Sequence, residues 1–282
     1  MKIRFTKMHG IGNDYIYINC MVQEIAKPSD LAIIMSSRHF SVGSDGLILI
    51  CPSEVADAKM RMFNADGSEG KMCGNAIRCV GKYLYDNRIV TKKEITIETL
   101  SGIKNLWLYT NNNDRVDYVK VYMGKISFEP TDIPIASDRP MINGNICVLG
   151  KEQKVTAVSI GNPHAVYFVD DVKSLDLEKI GKDYENHPLF PERVNSEFVE
   201  VMDKENLRMR VWERGSGETY ACGTGSCATV AAAVVCGYCE YDTRVFVHLI
   251  GGVLKITYSA NGDIYMTGGA TKVFDGEYEY GN

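Results

Sequence analysis

An internal repeat constrains this 282-residue chain more than any other feature. Residues 59–74, KMRMFNADGSEGKMCG, align without a gap on residues 208–223, RMRVWERGSGETYACG, at a constant offset of 149. Met60/Met209, Arg61/Arg210, Glu69/Glu218, Cys73/Cys222 and Gly74/Gly223 are identical, where average amino-acid usage predicts about one match. The same offset carries Gly12-Asn13 onto Gly161-Asn162. Such self-similarity means that one supersecondary plan is built twice. The expectation is two related halves, near 5–122 and 154–270, about a pseudo-two-fold axis, with Cys73 and Cys222 facing each other across a cleft.

Hydrophobic patterning places the repeat on elements. Runs at 14–19, 47–51, 58–63, 94–98 and 116–122, and again at 164–169, 196–202, 207–212, 243–248 and 253–258, alternate or are rich in β-formers and predict strands. Helices are predicted from Pro28 to Ser37, with proline at the start, and from Cys73 to Tyr85, with Ile77, Val80 and Leu84 on one face. A third, Cys222 to Cys236, is apolar almost all round and belongs in the centre of a unit, buried by strands. The fold class is strand-dominated α+β. Residues 128–145 lie between the repeat copies with three of the eight prolines and read as a crossover.

Charge narrows the partners. With 31 Lys plus Arg against 36 Asp plus Glu, the net charge of −5 leaves no electrostatic footprint for nucleic acid. No run approaches the roughly 18 apolar residues of a membrane span, and the amino terminus has no secretory-type apolar stretch, so a cytoplasmic protein without a membrane partner is expected. Nine cysteines cannot all pair and read as free thiols in a reducing compartment. Cys236 and Cys239 form a CxxC, but no second one accompanies it, and Gly237 suits a helix terminator better than a zinc or redox site.

Free cysteine is ordinarily a buried small hydrophobe. Cys73 and Cys222 differ in their setting, because each opens a Gly-rich helix start, Cys-Gly-Asn-Ala at 73–76 and Cys-Gly-Thr-Gly at 222–225. There the helix has unpaired N–H groups and the positive end of its dipole, which bind an anion and lower the pKa of an accessible thiol. Inverting a carbon stereocentre needs a base on one face and an acid on the other, and a thiolate/thiol pair supplies both. Sulfurs each about 3–3.5 Å from the carbon would stand roughly 6–7 Å apart. Two helix ends aimed at a carboxylate would stabilise developing charge by about 3–4 kcal/mol each. No metal or pyridoxal cofactor is required, and neither a GxxxxGK[ST] loop nor a Rossmann glycine pattern is present.

KMHGIGNDY (7–15), FNADGSEGKMCGN (63–75), GNPH (161–164), FPERVN (190–195) and ERGSGETYACGTGSC (213–227) together resemble the diaminopimelate epimerase family across nearly the whole chain. The resemblance implies cofactor-independent interconversion of LL- and meso-2,6-diaminopimelate, for lysine and peptidoglycan precursors, by a homodimer. It implies two similar domains, each a β-barrel-like sheet around a central helix, here 1–122 plus 270–282 and 123–269. By motif, Cys73 and Cys222 are the acid/base pair, and Gly74, Asn75, Gly223 and Thr224 cradle the reacting carboxylate. Asn13, Asn64, Asn162, Asn195, Glu213 and Arg214 match positions that hold the rest of the small amino-acid substrate, and His164 matches one that tunes thiol ionisation.

Taken alone, these polar residues would read as turn formers, solvated charges and a structural histidine. Two positions depart from the pattern: Gly46 stands where some members have Gln, and Ala76 where Gly is frequent. Rivals are a racemase of proline, hydroxyproline or histidine on the same scaffold, an amino-acid-binding protein, and a thiol-rich metal module. Equivalent cysteines at two helix starts speak against the last two. The opposed thiols also predict reversible oxidative inactivation through a Cys73–Cys222 disulfide.

Overall fold

Period-two alternation sorts the first strands onto two faces. In the computed structural model, which describes residues 2–280, β1 (Lys2–Gly10) pairs antiparallel with β2 (Asn13–Asn19). Met1, Gly281 and Asn282, which the expected first domain includes, lie outside the described residues. A parallel neighbour can be reached only by a crossover; α1 (Pro28–Ser36) is the crossover to β3 (Gly46–Cys51), parallel to β2. Leu31, Ala32 and Met35 of α1 pack with Ile16, Ile18, Leu47 and Leu49. β4 (Ala58–Asn64) turns back antiparallel and carries the short β5 (Glu69–Gly70). A second crossover, α2 (Gly74–Asp86), leads to β6 (Glu94–Thr99), parallel to β4, and then to β7 (Gly102–Thr110) and β8 (Val116–Lys125).

The two helices take opposite faces of the sheet. Tyr15 and Tyr17 alternate with Ile16 and Ile18, and the Tyr17 hydroxyl reaches the Ala76 carbonyl of α2 at 3.4 Å. On its other side α2 is wrapped by β7 and β8: a Cβ on Gly81 would come within 3.0 Å of Leu106 and Leu108. This central helix wrapped by strands is what the apolar stripe of Ile77, Val80 and Leu84 requires.

The second unit repeats the plan: β9 (Gly144–Val148), β10 (Lys151–Ser159), β11 (Pro163–Phe168), α3 (Leu177–Glu185), β12 (Asn195–Val201), β13 (Asn206–Glu213), β14 (Gly217–Thr219), α4 (Gly223–Val235), β15 (Arg244–Leu249), β16 (Gly252–Tyr258) and β17 (Asp263–Gly269). Again the parallel pairs are the ones joined by helices, β11 to β12 through α3 and β13 to β15 through α4. β18 (Thr271–Glu279) then returns to pair antiparallel with β1, as β9 does with β10. The compact units are residues 2–121 with 267–280, and Tyr122–Met266.

Duplication extends to register. Met62↔Gly70 and Phe63↔Glu69 recur as Val211↔Thr219 and Trp212↔Glu218. Across these hairpins Arg61 pairs with Glu69 at 2.8 Å and Arg210 with Glu218 at 2.7 Å. α2 and α4 are each 13 residues long. Every strand expected from alternation forms, in a strand-rich α+β fold with four α-helices among the described residues.

α3 is an addition to the sequence reading. Its LEKIGKDYE sequence is mostly polar, yet Leu177, Gly181 and Tyr184 recur at helical spacing and are buried. The offset of 149 would have found it, since it carries Pro28–Ser36 onto Leu177–Glu185. Gly181 is small because the Trp212 indole lies on it; a Cβ there would stand 2.1 Å from the ring. Boundaries also shift by one: Ser37, Cys73, Cys222 and Cys236 are caps flanking their helices. Gly237 ends α4 with φ +82°. No helix among the described residues is long and apolar enough to cross a membrane, and all nine cysteines are unbridged.

Candidate functional site

Each unit carries one half of the expected site at the start of its central helix. Ser, Thr, Asp and Asn are the usual N-caps; here cysteine takes that position twice. Cys73 Sγ accepts the Ala76 N–H at 3.5 Å, and Cys222 Sγ accepts the Gly225 N–H at 3.3 Å. Both caps have extended backbone, φ −129° and −116°. Each sulfur is therefore held at the positive end of a helix by local geometry alone.

In the first unit the Cys73 thiol donates to Asn13 Oδ1 at 3.4 Å, and Asn13 Nδ2 donates to Asp45 Oδ2 at 2.7 Å. Tyr15 lies beside Asn13 and Cys73, and its burial raises its phenol well above the ordinary range. Asn75 is buried and accepts from Arg78 Nη1 at 3.0 Å; the same nitrogen donates to the Gly74 carbonyl at 3.0 Å. Arg78 is wholly buried, a cation set into the first turn of α2. Asn64 ends β4 and donates across the β4–β5 turn to Ser68 Oγ at 2.9 Å.

Asp14, beside Asn13, is the centre of a charge cluster. Burial alone would push its carboxyl up, but hydrogen bonds from Arg38 and Lys7 hold it below the ordinary range. Arg38 bridges Asp14 and Asp45, each at 2.7 Å, and so fixes the Asp45 that orients Asn13. Gly46 follows directly. A Cβ there would stand 2.2 Å from the Phe63 carbonyl oxygen and 2.8 Å from the Tyr15 ring, so this backbone cannot house the glutamine found in some relatives of the pattern. Ala76 is accommodated and keeps the N–H bond to sulfur.

In the second unit His164 Nδ1 lies 2.7 Å from Glu197 Oε1 and Nε2 lies 3.1 Å from Asn162 Oδ1. Asn162 Nδ2 reaches Thr224 Oγ1 at 3.4 Å, and Thr224 Oγ1 is 3.5 Å from Cys222 Sγ. A continuous polar chain thus runs from Glu197 to the thiol. Asn195 spans Pro163 O (2.8 Å) and the Arg214 N–H (3.0 Å), and Arg214 Nη1 donates to Glu192 O at 3.0 Å. Glu213 accepts from Thr219 Oγ1 and lies close enough to Cys222 for its charge to act on the thiol.

Electrostatics at Cys222 oppose the expected lowering of its pKa. Burial, then the nearby Glu213 and Glu197 charges, push this thiol well above its ordinary value, and the Gly225 N–H compensates only in part. The helix-end argument required an accessible thiol, whereas Cys222 is 5% exposed. Glu213 is likewise raised, chiefly by burial of its carboxyl. The resting thiol is the protonated form, which can donate a proton.

Glu197, Tyr15 and Arg78 were not singled out by the sequence. For Tyr15 a signal existed, because the offset of 149 carries it onto His164. Glu197 had none, since a glutamate in NSEFVEV reads as the outward side of an alternating strand. Its tie to His164 arises from the parallel register His164↔Asn195, Val166↔Glu197.

A family model described as diaminopimelate epimerase matches residues 5–129 and 156–273. Over 279 residues the chain is 54% identical to a diaminopimelate epimerase of Acetivibrio thermocellus, with 98% of this chain and 99% of that one covered. To a diaminopimelate epimerase of Methanococcus maripaludis it is 51% identical over 279 residues, covering 98% and 100%. Among solved structures it is similar to a Bacillus anthracis phenazine biosynthesis protein of the PhzF family, with TM-score 0.73, 17% identity and 99% of each chain covered. It is also similar to a probable proline racemase from Agrobacterium radiobacter, with TM-score 0.71, 14% identity and 99% and 93% covered. At those identities the structural likeness is one of fold.

Proposed function

The chain belongs to the diaminopimelate epimerase family, and we propose that Cys73 and Cys222 are the acid/base pair with which it inverts one stereocentre of 2,6-diaminopimelate. It is an isomerase that converts LL-diaminopimelate to the meso form. One cysteine, as thiolate, takes the proton from the reacting carbon; the other, as thiol, returns a proton to the opposite face. The roles exchange in the reverse direction. The supporting observation is a single one: cysteine caps the central helix of both units, with the same bond to the N–H three residues on.

A proton beside an amino-acid carboxylate is weakly acidic, so a thiolate needs help with the developing charge. Gly74, Asn75, Gly223 and Thr224 occupy the first turns of α2 and α4, whose N–H groups and dipoles favour an anion. We assign them the reacting carboxylate. Arg214 is assigned the distal carboxylate, which a guanidinium can grip with two prongs. Glu213 complements an ammonium; Asn13, Asn64, Asn162 and Asn195 supply donors and acceptors; His164 tunes the thiol through Asn162 and Thr224. This set supplies acid, base and charge stabilisation from side chains and backbone, so we assign no prosthetic group. On family membership we also assign a cytoplasmic homodimer.

The decisive experiment is LL-diaminopimelate in deuterium oxide. Meso product carrying one solvent deuterium at the inverted centre is expected, and Cys73→Ala or Cys222→Ala should each nearly abolish turnover. Full turnover by either variant would remove the two-thiol assignment. Sedimentation of the enzyme checks the dimer.

A further inference from the structure

The sheet of the first unit carries two thiols for which the epimerisation has no use. Ile16, Ile18 and Cys20 follow one another at period two, as do Leu47, Leu49 and Cys51 on the adjoining β3, and all lie on the face covered by α1. Cys20 and Cys51 stand half-buried at the margin of that core. The register Asn19↔Ile50 and the bond from the Cys20 N–H to the Ile50 carbonyl at 2.8 Å bring the two residues alongside each other, close enough for each thiol to shift the ionisation of the other. Neighbouring strands are about 4.8 Å apart, inside the roughly 4.4–6.8 Å that a disulfide spans between Cα atoms.

On its other side β3 meets β4, where Lys59 is the register partner of Cys51 and Arg61 that of Leu49. The neighbouring Cys20 thiol, with the charges of Arg61 and Lys59, brings the Cys51 thiol down to about 7 against burial and Glu69, while Cys20 is raised. Near neutral pH a thiolate therefore faces a protonated thiol. The fold does not require sulfur here: in the second unit the equivalent positions are Val169 and Glu200.

We propose that Cys20 and Cys51 form a hydroperoxide-reactive dithiol, separate from Cys73 and Cys222, that closes to a disulfide. The Cys51 thiolate attacks one peroxide oxygen and the O–O bond breaks, leaving Cys51 as a sulfenic acid, oxidised by two electrons, and releasing hydroxide that is protonated to water. Cys20 then gives up its proton and attacks the Cys51 sulfur, forming the S–S bond and expelling the hydroxyl as a second water. Two thiols and one hydrogen peroxide yield one disulfide and two waters.

The test treats the reduced, full-length protein with one equivalent of hydrogen peroxide at pH 7 and maps its peptides without reduction. The Cys20 and Cys51 peptides should appear joined, two hydrogens lighter, and separate with dithiothreitol. Cys20→Ser should leave Cys51 as a sulfenic acid captured by dimedone, Cys51→Ser should leave Cys20 unoxidised, and both variants should epimerise diaminopimelate at the wild-type rate. Both peptides recovered as free thiols after the peroxide is consumed, either one joined to another cysteine, or dimedone on Cys20 in Cys51→Ser would overturn the proposal.

Discussion

His164 and Glu197 form a wholly buried pair on adjoining parallel strands, with Nδ1 2.7 Å from Oε1 and neither side chain exposed to solvent. The pair abuts Cys222: a Cβ on Gly225 would stand 2.7 Å from Glu197 Oε1 and 3.2 Å from the Cys222 sulfur. Among the described residues no atom donates to Glu197 Oε2. A buried carboxylate is costly unless it is paired, so its retention one layer behind the thiol indicates that it positions His164.

Glu197→Gln should keep the shape and lose the charge. A hydrogen bond to a charged group is worth about 1.5–3 kcal/mol, so kcat is expected to fall roughly ten- to hundredfold. KM for diaminopimelate should change little, because Glu197 is assigned no substrate contact. Steady-state kinetics of the purified variant check this; a rise in KM at unchanged kcat would instead place Glu197 on the substrate.

Glu213 sets function against stability. Its folded pKa is raised by burial, so the folded chain holds this proton more tightly than the unfolded chain does. The resulting stability is complete below the unfolded value of about 4.3 and is lost as pH rises through the folded value. At neutral pH Glu213→Gln should therefore melt above wild type while turning over poorly, and the gain should vanish towards pH 4. Calorimetry at both pH values decides; a variant that melts lower at pH 7 contradicts the assignment.

Gly46→Ala should destabilise the first unit. Its Cβ would meet backbone, the Phe63 carbonyl oxygen at 2.2 Å, which cannot swing aside. Overpacking of this kind costs about 1–3 kcal/mol. Denaturant unfolding would show it as a lower midpoint, and an unchanged midpoint would mean that β3 and β4 part easily.

The duplicated Arg–Glu clamps should prove unequal. Arg61 and Glu69 are 36% and 29% exposed and bond only each other among the described hydrogen bonds, whereas Arg210 and Glu218 are 19% and 17% exposed. Arg210 also donates to the carbonyls of Val172 and Leu175, at 3.1 and 2.6 Å. Arg210→Ala should cost about 1–3 kcal/mol by stranding those acceptors, and Arg61→Ala about 0–1 kcal/mol. Equal losses in paired unfolding curves would remove the distinction.

Much of this protein was legible before any coordinates. The offset of 149, the alternation of strands such as DYIYIN and the cysteines preceding glycine at two helix starts are local properties, set by the covalent order and by helix and strand periodicity. They specified α2 and α4, the strands β4 and β13 before them, the α+β class and the two thiols at the helix starts. What tertiary structure alone decided is which distant residues share one environment. Parallel pairing of β11 with β12 joins His164 to Glu197 across 33 residues of sequence, and burial beside two carboxylates keeps Cys222 a thiol where a helix end alone favours thiolate. Desolvation and Coulomb energy depend on what surrounds a group in space, and the order of residues in a repeat does not carry that information.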